Sequence, residues 1–188
     1  MVGPGQFYAA NANAHKRGVR RFMEDALHTE ESGIVYFDGN VATAVASGLN
    51  HATGIAVSAN GEQIYVAETF SRRLRIYWRE PTNGNLSVAR VVELDTGVQG
   101  IDVDEAGRLW VAAQPQRYKL TAFVGEPSGP SPTQVLRLDL AARPNEQVTT
   151  VFSDDGKRVS AASGAAALDG RLIVGSSRGA AAVVTLSR

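Results

Sequence analysis

The sequence contains no cysteine, which removes disulfides, thiolate metal sites and cysteine nucleophiles from consideration. It carries no excess charge either, since 19 Lys and Arg balance 19 Asp and Glu without a long run of one sign. A nucleic-acid-binding face and a polybasic membrane patch are therefore unsupported. No apolar run approaches the ~18 residues that a spanning helix requires, so no membrane span is expected. Residues 1–9 lack the basic and apolar regions of a secretory leader, and the expected location is cytoplasmic. Histidine is scarce: only His15, His28 and His51 are available for imidazole chemistry.

What is present is a repeat. The run Gly54-Ile-Ala-Val-Ser58, followed by Gly61 and Ile64-Tyr-Val-Ala67, returns as Gly100-Ile-Asp-Val-Asp104, Gly107 and Leu109-Trp-Val-Ala112. The turn glycines Gly61 and Gly107 stand 46 positions apart. Asp169-Gly170-Arg-Leu-Ile-Val-Gly175 repeats the turn and second strand, and Gly5-Gln-Phe-Tyr-Ala-Ala10 repeats the second strand alone. A period of about 40–50 residues built from short strands is the signature of β-propeller blades. With 44% hydrophobic residues over 188 positions, the chain can bury a core.

The pattern predicts strands over 6–10, 34–37 and 41–46, the last two turning at Asp38-Gly39. Further strands are expected over 54–58, 63–68, 73–78 and 88–94, then 101–103, 109–113, 135–140 and 148–152, and finally 162–167, 171–175 and 181–186. Apolar residues at helical spacing predict one short helix over Val19–His28. The Pro/Gly-rich run over 125–132 is expected to be an exposed loop. The expected organisation is a single β-propeller segment over 1–188, with a partial blade 1–50, blades 51–96 and 97–153, and a partial blade 154–188. Two complete blades flanked by two incomplete ones leave unpaired edges. Such a segment is either the C-terminal part of a longer propeller, the preferred reading, or self-associates with another copy through its open edges.

Several motifs in succession resemble the paraoxonase/arylesterase family: Gly3-Pro-Gly-Gln-Phe-Tyr-Ala-Ala-Asn11, Ile64-Tyr-Val-Ala-Glu-Thr69 with Arg73-Leu-Arg-Ile-Tyr77, Gly107-Arg-Leu-Trp-Val-Ala-Ala-Gln-Pro115, Ser131-Pro-Thr-Gln-Val-Leu-Arg-Leu138 and Asp154-Asp-Gly-Lys-Arg-Val-Ser-Ala-Ala162. Gluconolactonase-like and strictosidine-synthase-like propellers share the strand pattern less closely. The resemblance runs from Gly3 to about Leu186 and corresponds to roughly the second half of a family member. It implies an all-β fold, a partial, roughly three- to four-blade segment of a six-bladed β-propeller. It also implies calcium-dependent hydrolysis of aryl esters and lactones, with the ion polarising the ester carbonyl.

The family's metal positions fall on Asn11, Thr53 and Gln99. Asn11 keeps the family's Asn, but Ala12 replaces the Asp that follows it. Thr53 stands where the family has Asn, and Gln99-Gly100 where it has Asp-Asn. The family's His-Pro becomes Gln114-Pro115. Two amides and one hydroxyl bring no charge, so calcium is expected to be weakly bound or absent here. Asp102 and Asp104 do not obviously replace the lost carboxylates. His51, two residues before Thr53, is a candidate general base, although no carboxylate partner is recognisable beside it. His15 is more simply a solvated loop residue. Ser160, Ser163, Ser176 and Ser177 lie outside any Gly-x-Ser-x-Gly nucleophile motif. Gly175-Ser-Ser-Arg-Gly179 lacks the lysine and following helix of a phosphate loop. Glu68 is expected to pair with Arg72, Arg73 or Arg75, and Tyr65, Trp110, Tyr77 and Trp78 are expected to anchor packing between blades. Two functions follow: a carboxylic-ester hydrolase acting on small-molecule esters or lactones, or a non-catalytic propeller that binds a ligand or protein through its loops.

Overall fold

The computed structural model describes residues 2–12, 32–116, 130–177 and 181–186. These form two compact units, Met1–Leu94 and Asp95–Arg188. The first unit holds β1 (Phe7–Asn11), β2 (Ser32–Phe37), β3 (Ala42–Leu49), β4 (Ala52–Val57), β5 (Gln63–Glu68), β6 (Arg73–Arg79) and β7 (Leu86–Glu93). The second holds β8 (Gly97–Val103), β9 (Leu109–Gln114), β10 (Thr133–Leu138), β11 (Val148–Asp154), β12 (Ala162–Leu168), β13 (Arg171–Ser176) and β14 (Ala181–Thr185). Each unit contains one three-stranded and one four-stranded antiparallel sheet, β1-β2-β3 with β4-β5-β6-β7, and β8-β9-β10-β11 with β12-β13-β14. The chain is therefore an all-β, partial β-propeller. The short helix expected over Val19–His28, with His15 and His28, lies outside the described residues, as does most of the 125–132 loop.

The repeat explains the strands. The turn glycines Gly61, Gly107 and Gly170 have φ of +74°, +77° and +71°, a left-handed conformation that glycine adopts without steric cost. After each turn comes a run of apolar residues that does not alternate. In β9 all six residues from Leu109 to Gln114 are buried, as expected of a strand covered on both faces. One turn reading needs correction. The β2–β3 connection spans four residues, because Asp38 N–H bonds the Val41 carbonyl and its carboxylate accepts the Asn40 and Val41 N–H groups at 2.7 Å each. A 3-10 turn, Pro144–Glu146, precedes β11, where proline's fixed φ suits the first helical position.

Within each unit, one sheet lays aromatics on the aliphatic face of the next. In the first unit, Tyr8, Ile34 and Tyr36 pack against Ala52, Ile64, Val66 and Tyr77. In the second, Trp110, Val135 and Phe152 pack against Ala165, Leu172 and Val174. Trp110 and Tyr77 thus anchor packing as expected, and Tyr65 is buried with its hydroxyl donating to Gln63 Oε1 at 3.2 Å. Trp78 does not: it is exposed, because neighbouring strand residues face opposite ways and Tyr77 takes the inner side.

Hydroxyl groups stitch the sheets together. Ser32 Oγ, at the start of β2, accepts the N–H of Ala52 in β4 at 3.1 Å and donates to the Leu49 carbonyl at 2.6 Å. Thr133 Oγ1, at the start of β10, accepts the N–H of Ala162 in β12 at 3.0 Å. Both hydroxyls are buried, so each satisfies a backbone donor that would otherwise be costly.

Candidate functional site

Three strands carry a bulge at one equivalent place. Pairing of β4 with β5 skips Thr53, between Ala52↔Glu68 and Gly54↔Ala67. Pairing of β8 with β9 skips Gln99 and Gly100, between Val98↔Ala113 and Ile101↔Val111. Pairing of β12 with β13 skips Ser163, between Ala162↔Ser176 and Gly164↔Gly175. The local sequences are His51-Ala-Thr-Gly54, Gly97-Val-Gln-Gly100 and Ala161-Ala-Ser-Gly164. A bulge leaves its residue outside the ladder and re-aims its side chain, which is why bulges recur beside binding sites. In the sequence Ser163 stands out only as a nucleophile without a motif, not as a bulge residue. The available signal was its place before a glycine, seven residues ahead of Gly170, against eight for Thr53 and Gly61.

His51 and Ala161, which open two of these segments, share a left-handed φ of 56°. Their carbonyls accept the N–H of Thr69 and Ser177 respectively, each at 3.2 Å. The strained residue therefore turns the chain into the bulge, and the bond from the far end of the neighbouring strand holds it there. The His51 ring lies against Phe70, with centroids 4.4 Å apart and planes inclined by 38°. The hydroxyls of Thr53 and Thr69 are 2.6 Å apart. Asn11 is exposed at the end of β1, opposite Gly33, and β1 contacts β4, the strand that carries Thr53. Gln99 belongs to the second unit. Its neighbour Gly100 lies so close to Ser163 that a Cβ there would stand 2.4 Å from the Ser163 carbonyl oxygen. A polar side chain at position 100, as the family resemblance would place there, requires β12 to shift.

The carboxylates near the bulges are committed elsewhere. Glu68 is fully buried between Arg73 and Arg75, with Arg73 Nη2–Oε2 at 2.9 Å and Arg75 Nε–Oε1 at 2.6 Å. The Asn50 N–H adds a third donor at 2.9 Å. Burial pushes the Glu68 carboxyl up, but the bonds from Arg73, Asn50 and Arg75 outweigh it and hold the group below its ordinary range. Of the arginines expected beside Glu68, Arg73 and Arg75 are the partners. Asp104 accepts Arg108 Nε at 2.8 Å and Trp110 Nε1 at 3.0 Å. Burial raises this carboxyl, but the Trp110 and Arg108 bonds outweigh it and hold the group below its ordinary range. Asp102 lies on β8, opposite Trp110. Among the described residues no three of His, Cys, Asp and Glu gather as a metal-binding group.

The serines act as local fasteners. Ser160 Oγ accepts the Ser131 N–H at 2.9 Å, Ser176 Oγ donates to the Ser160 carbonyl, and Ser177 Oγ donates to the Ala161 carbonyl at 3.3 Å. Gln114, buried at the end of β9, donates through Nε2 to the Ala162 carbonyl at 3.0 Å. An open cleft of about 390 Å³ is lined by Asp104, Arg108, Trp110, Arg137 and Asp169 among others. It sits at the turn end of β8, the opposite end from the Gln99 bulge.

A family model described as arylesterase matches residues 1–185. The chain is 33% identical over 175 residues to Serum paraoxonase/arylesterase 2 of Homo sapiens, covering 93% of this chain and 49% of that protein. It is 30% identical to Serum paraoxonase/arylesterase 1 of Rattus norvegicus, covering 93% and 48%. The chain thus spans about half the length of the curated relatives it matches. Among solved structures, a gluconolactonase from Xanthomonas campestris superposes with a TM-score of 0.58 at 19% identity, over 84% of this chain and 45% of the other. Regucalcin from Agrobacterium tumefaciens, described as a calcium-binding protein, superposes with a TM-score of 0.58 at 15% identity, over 93% and 50%. These two structural likenesses speak to the fold alone.

Proposed function

Because the chain belongs to the arylesterase family, we propose that it supplies substrate-facing residues of a hydrolase for carboxylic esters or lactones. The observation that carries this reading is the family match over residues 1–185. The recurrence of polar bulge residues, Thr53, Gln99 and Ser163, supports it. In such a reaction water adds to the acyl carbon, negative charge builds on the acyl oxygen, and the bond to the leaving oxygen breaks. Polar groups fixed in advance lower that barrier most. In the first unit the Thr53–Thr69 hydroxyl pair is a neutral group suited to a carbonyl oxygen. His51, held by its backbone and by Phe70, is the group proposed to take the proton from water.

Calcium bound in such a site would polarise the acyl oxygen as a Lewis acid. The donors present do not fit that ion. Calcium takes six to eight oxygens, and its affinity rises with the carboxylates supplied. Asn11, Thr53 and Gln99 supply none, while Glu68 and Asp104 are bound to arginines. No step of the proposed hydrolysis passes through the metal. The reading is tested by turnover of phenyl acetate and δ-valerolactone by the chain, with calcium and with chelator. We expect slow hydrolysis that chelator leaves unchanged and His51→Asn abolishes. Chelator-sensitive turnover overturns the neutral-donor arrangement, and no turnover under any condition overturns the hydrolase reading for this chain.

A further inference from the structure

At its turn end, the joint between the two sheets of the second unit opens into the cleft of about 390 Å³. All of the lining residues belong to that unit. Trp110, Ala167 and Leu186 form an apolar floor that continues the packed joint. The β8–β9 turn supplies one lip, with Asp104, Glu105 and Arg108. The β12–β13 turn supplies the other, with Leu168 and Asp169.

The charges in this cleft are only partly matched. Asp104 is taken up by Arg108 and Trp110. Arg137 is not taken up. It pairs across the ladder with Trp110 and stands two residues from Val135, which is buried in the joint. Residues two apart on a strand share a face, so the half-buried Arg137 side chain lies between the sheets at the mouth of the joint. Among the described residues no carboxylate is within ion-pair distance of it and no group hydrogen-bonds it. Glu105 and Asp169 on the lips likewise carry no ion pair among the described residues. Arg171, two residues beyond Asp169, does not line the cleft and forms no ion pair with it. Withdrawing a guanidinium from water costs free energy unless an acceptor compensates it. Here the cation and the two anions share one cleft without meeting.

We propose that the cleft binds a small zwitterion, an ω-amino carboxylate, whose carboxylate and ammonium are joined by an apolar spacer. The carboxylate accepts the planar fork of Arg137, the strongest geometry for that pair. The spacer lies along Trp110 and Leu186, and the ammonium meets Asp169, with Glu105 adding to the field. Charge selects this class over its neighbours. With Asp104 and Arg108 paired to each other, the lining keeps one cation and two anions. A phosphate or a plain organic anion is repelled at the lips, and a plain amine is repelled at Arg137. Binding there is independent of the hydrolase reading, because the cleft lies at the opposite end of β8 from the Gln99 bulge.

The test is calorimetric titration of the full chain with 6-aminohexanoate, against hexanoate and hexylamine, each of which keeps one charged head. We expect saturable one-site binding of 6-aminohexanoate in the millimolar range or tighter, and binding of either single-headed probe about ten-fold weaker or more, the worth of one charged hydrogen bond. Arg137→Gln and Asp169→Asn should each weaken 6-aminohexanoate by about the same factor with unchanged strand circular dichroism. Asparagine suits position 169, where φ is +50°, because it tolerates the left-handed region. No saturable binding, equal binding of a single-headed probe, or affinity left unchanged by either substitution overturns the proposal. Should Arg137→Gln fail to fold, Leu168→Lys decides, since it sets a cation on the ammonium's lip at a side chain already 69% exposed. Undiminished affinity in that variant overturns the proposal as well.

Discussion

Gly100 and Ser163 sit in backbone contact, the hydrogen of Gly100 filling a gap that leaves no room for a methyl before the Ser163 carbonyl oxygen. This contact joins the bulge of β8 to the bulge of β12, so it fixes both Gln99 and Ser163. Gly100→Ala is expected to destabilise the chain by about 1–3 kcal/mol, the usual cost of forcing extra volume into a packed site. Gly164→Ala is the control, because its Cβ would meet nothing within 4 Å. Denaturant unfolding of the two variants should differ by that amount.

Glu68→Gln removes the one negative charge between Arg73 and Arg75. Leaving the guanidiniums without it is expected to cost about 3 kcal/mol, in the range for breaking a buried pair. The sign of the pH effect follows from the lowered carboxyl. The native protein gains stability from Glu68 above the ordinary carboxylate range and loses it as the pH falls below that range. Urea unfolding across acid pH should show a slope that the glutamine variant lacks.

Asp154 closes its turn in a second such device. Its carboxylate accepts Arg158 Nε at 2.7 Å and the N–H of Gly156 at 2.8 Å, with the N–H groups of Arg158 and Val159 completing the set. The Arg158 bond leads in lowering its pKa from 3.8 to about 2. A folded value below the unfolded one stabilises above pH 3.8, and that contribution disappears as the pH drops towards 2. Asp154→Asn should be less stable at neutral pH and should flatten the unfolding profile within that window.

Tyr8→Phe tests the joint between the first two sheets. The Tyr8 hydroxyl donates to the Gly84 carbonyl at 2.7 Å, and the two rings Tyr8 and Tyr36 lie 4.8 Å apart. Loss of the hydroxyl should cost about 1 kcal/mol, the net worth of one such bond. Thermal unfolding by circular dichroism would show it as a lowered midpoint with unchanged strand signal.

The strands were legible because their causes are local. Turn glycines at 61, 107 and 170, and the apolar runs that follow them, mark β5, β9 and β13 directly. The bulges were not. Residues 97–100 carry no alternation, so β8 was expected to begin at Ile101, when it begins at Gly97. Only pairing with β9 shows that Gln99 and Gly100 are stepped over within a continuous strand. Asp104 and Asp154 follow the same logic: the grip on Arg108 or Arg158 required the folded turn. Trp78 was misassigned because its neighbour Tyr77 fills the inner side. Among site residues, Thr53 was expected just ahead of a strand but lies within β4, and its Thr69 partner, sixteen residues away, has no local signature.

The Ser32 and Thr133 hydroxyls have a consequence for how the molecule comes apart. Sheet arrays with only nearest-neighbour contacts ordinarily fray one layer at a time. Here the first strand of one sheet hangs by its amide from a side chain of the previous one, at Ala52 and again at Ala162. Neither layer can swing open without stranding a buried donor, so the smallest cooperative piece is a bonded couple of sheets. In hydrogen exchange, the amides of Ala52 and Ala162 should be among the last to trade their protons, well after those of the outer strand β7.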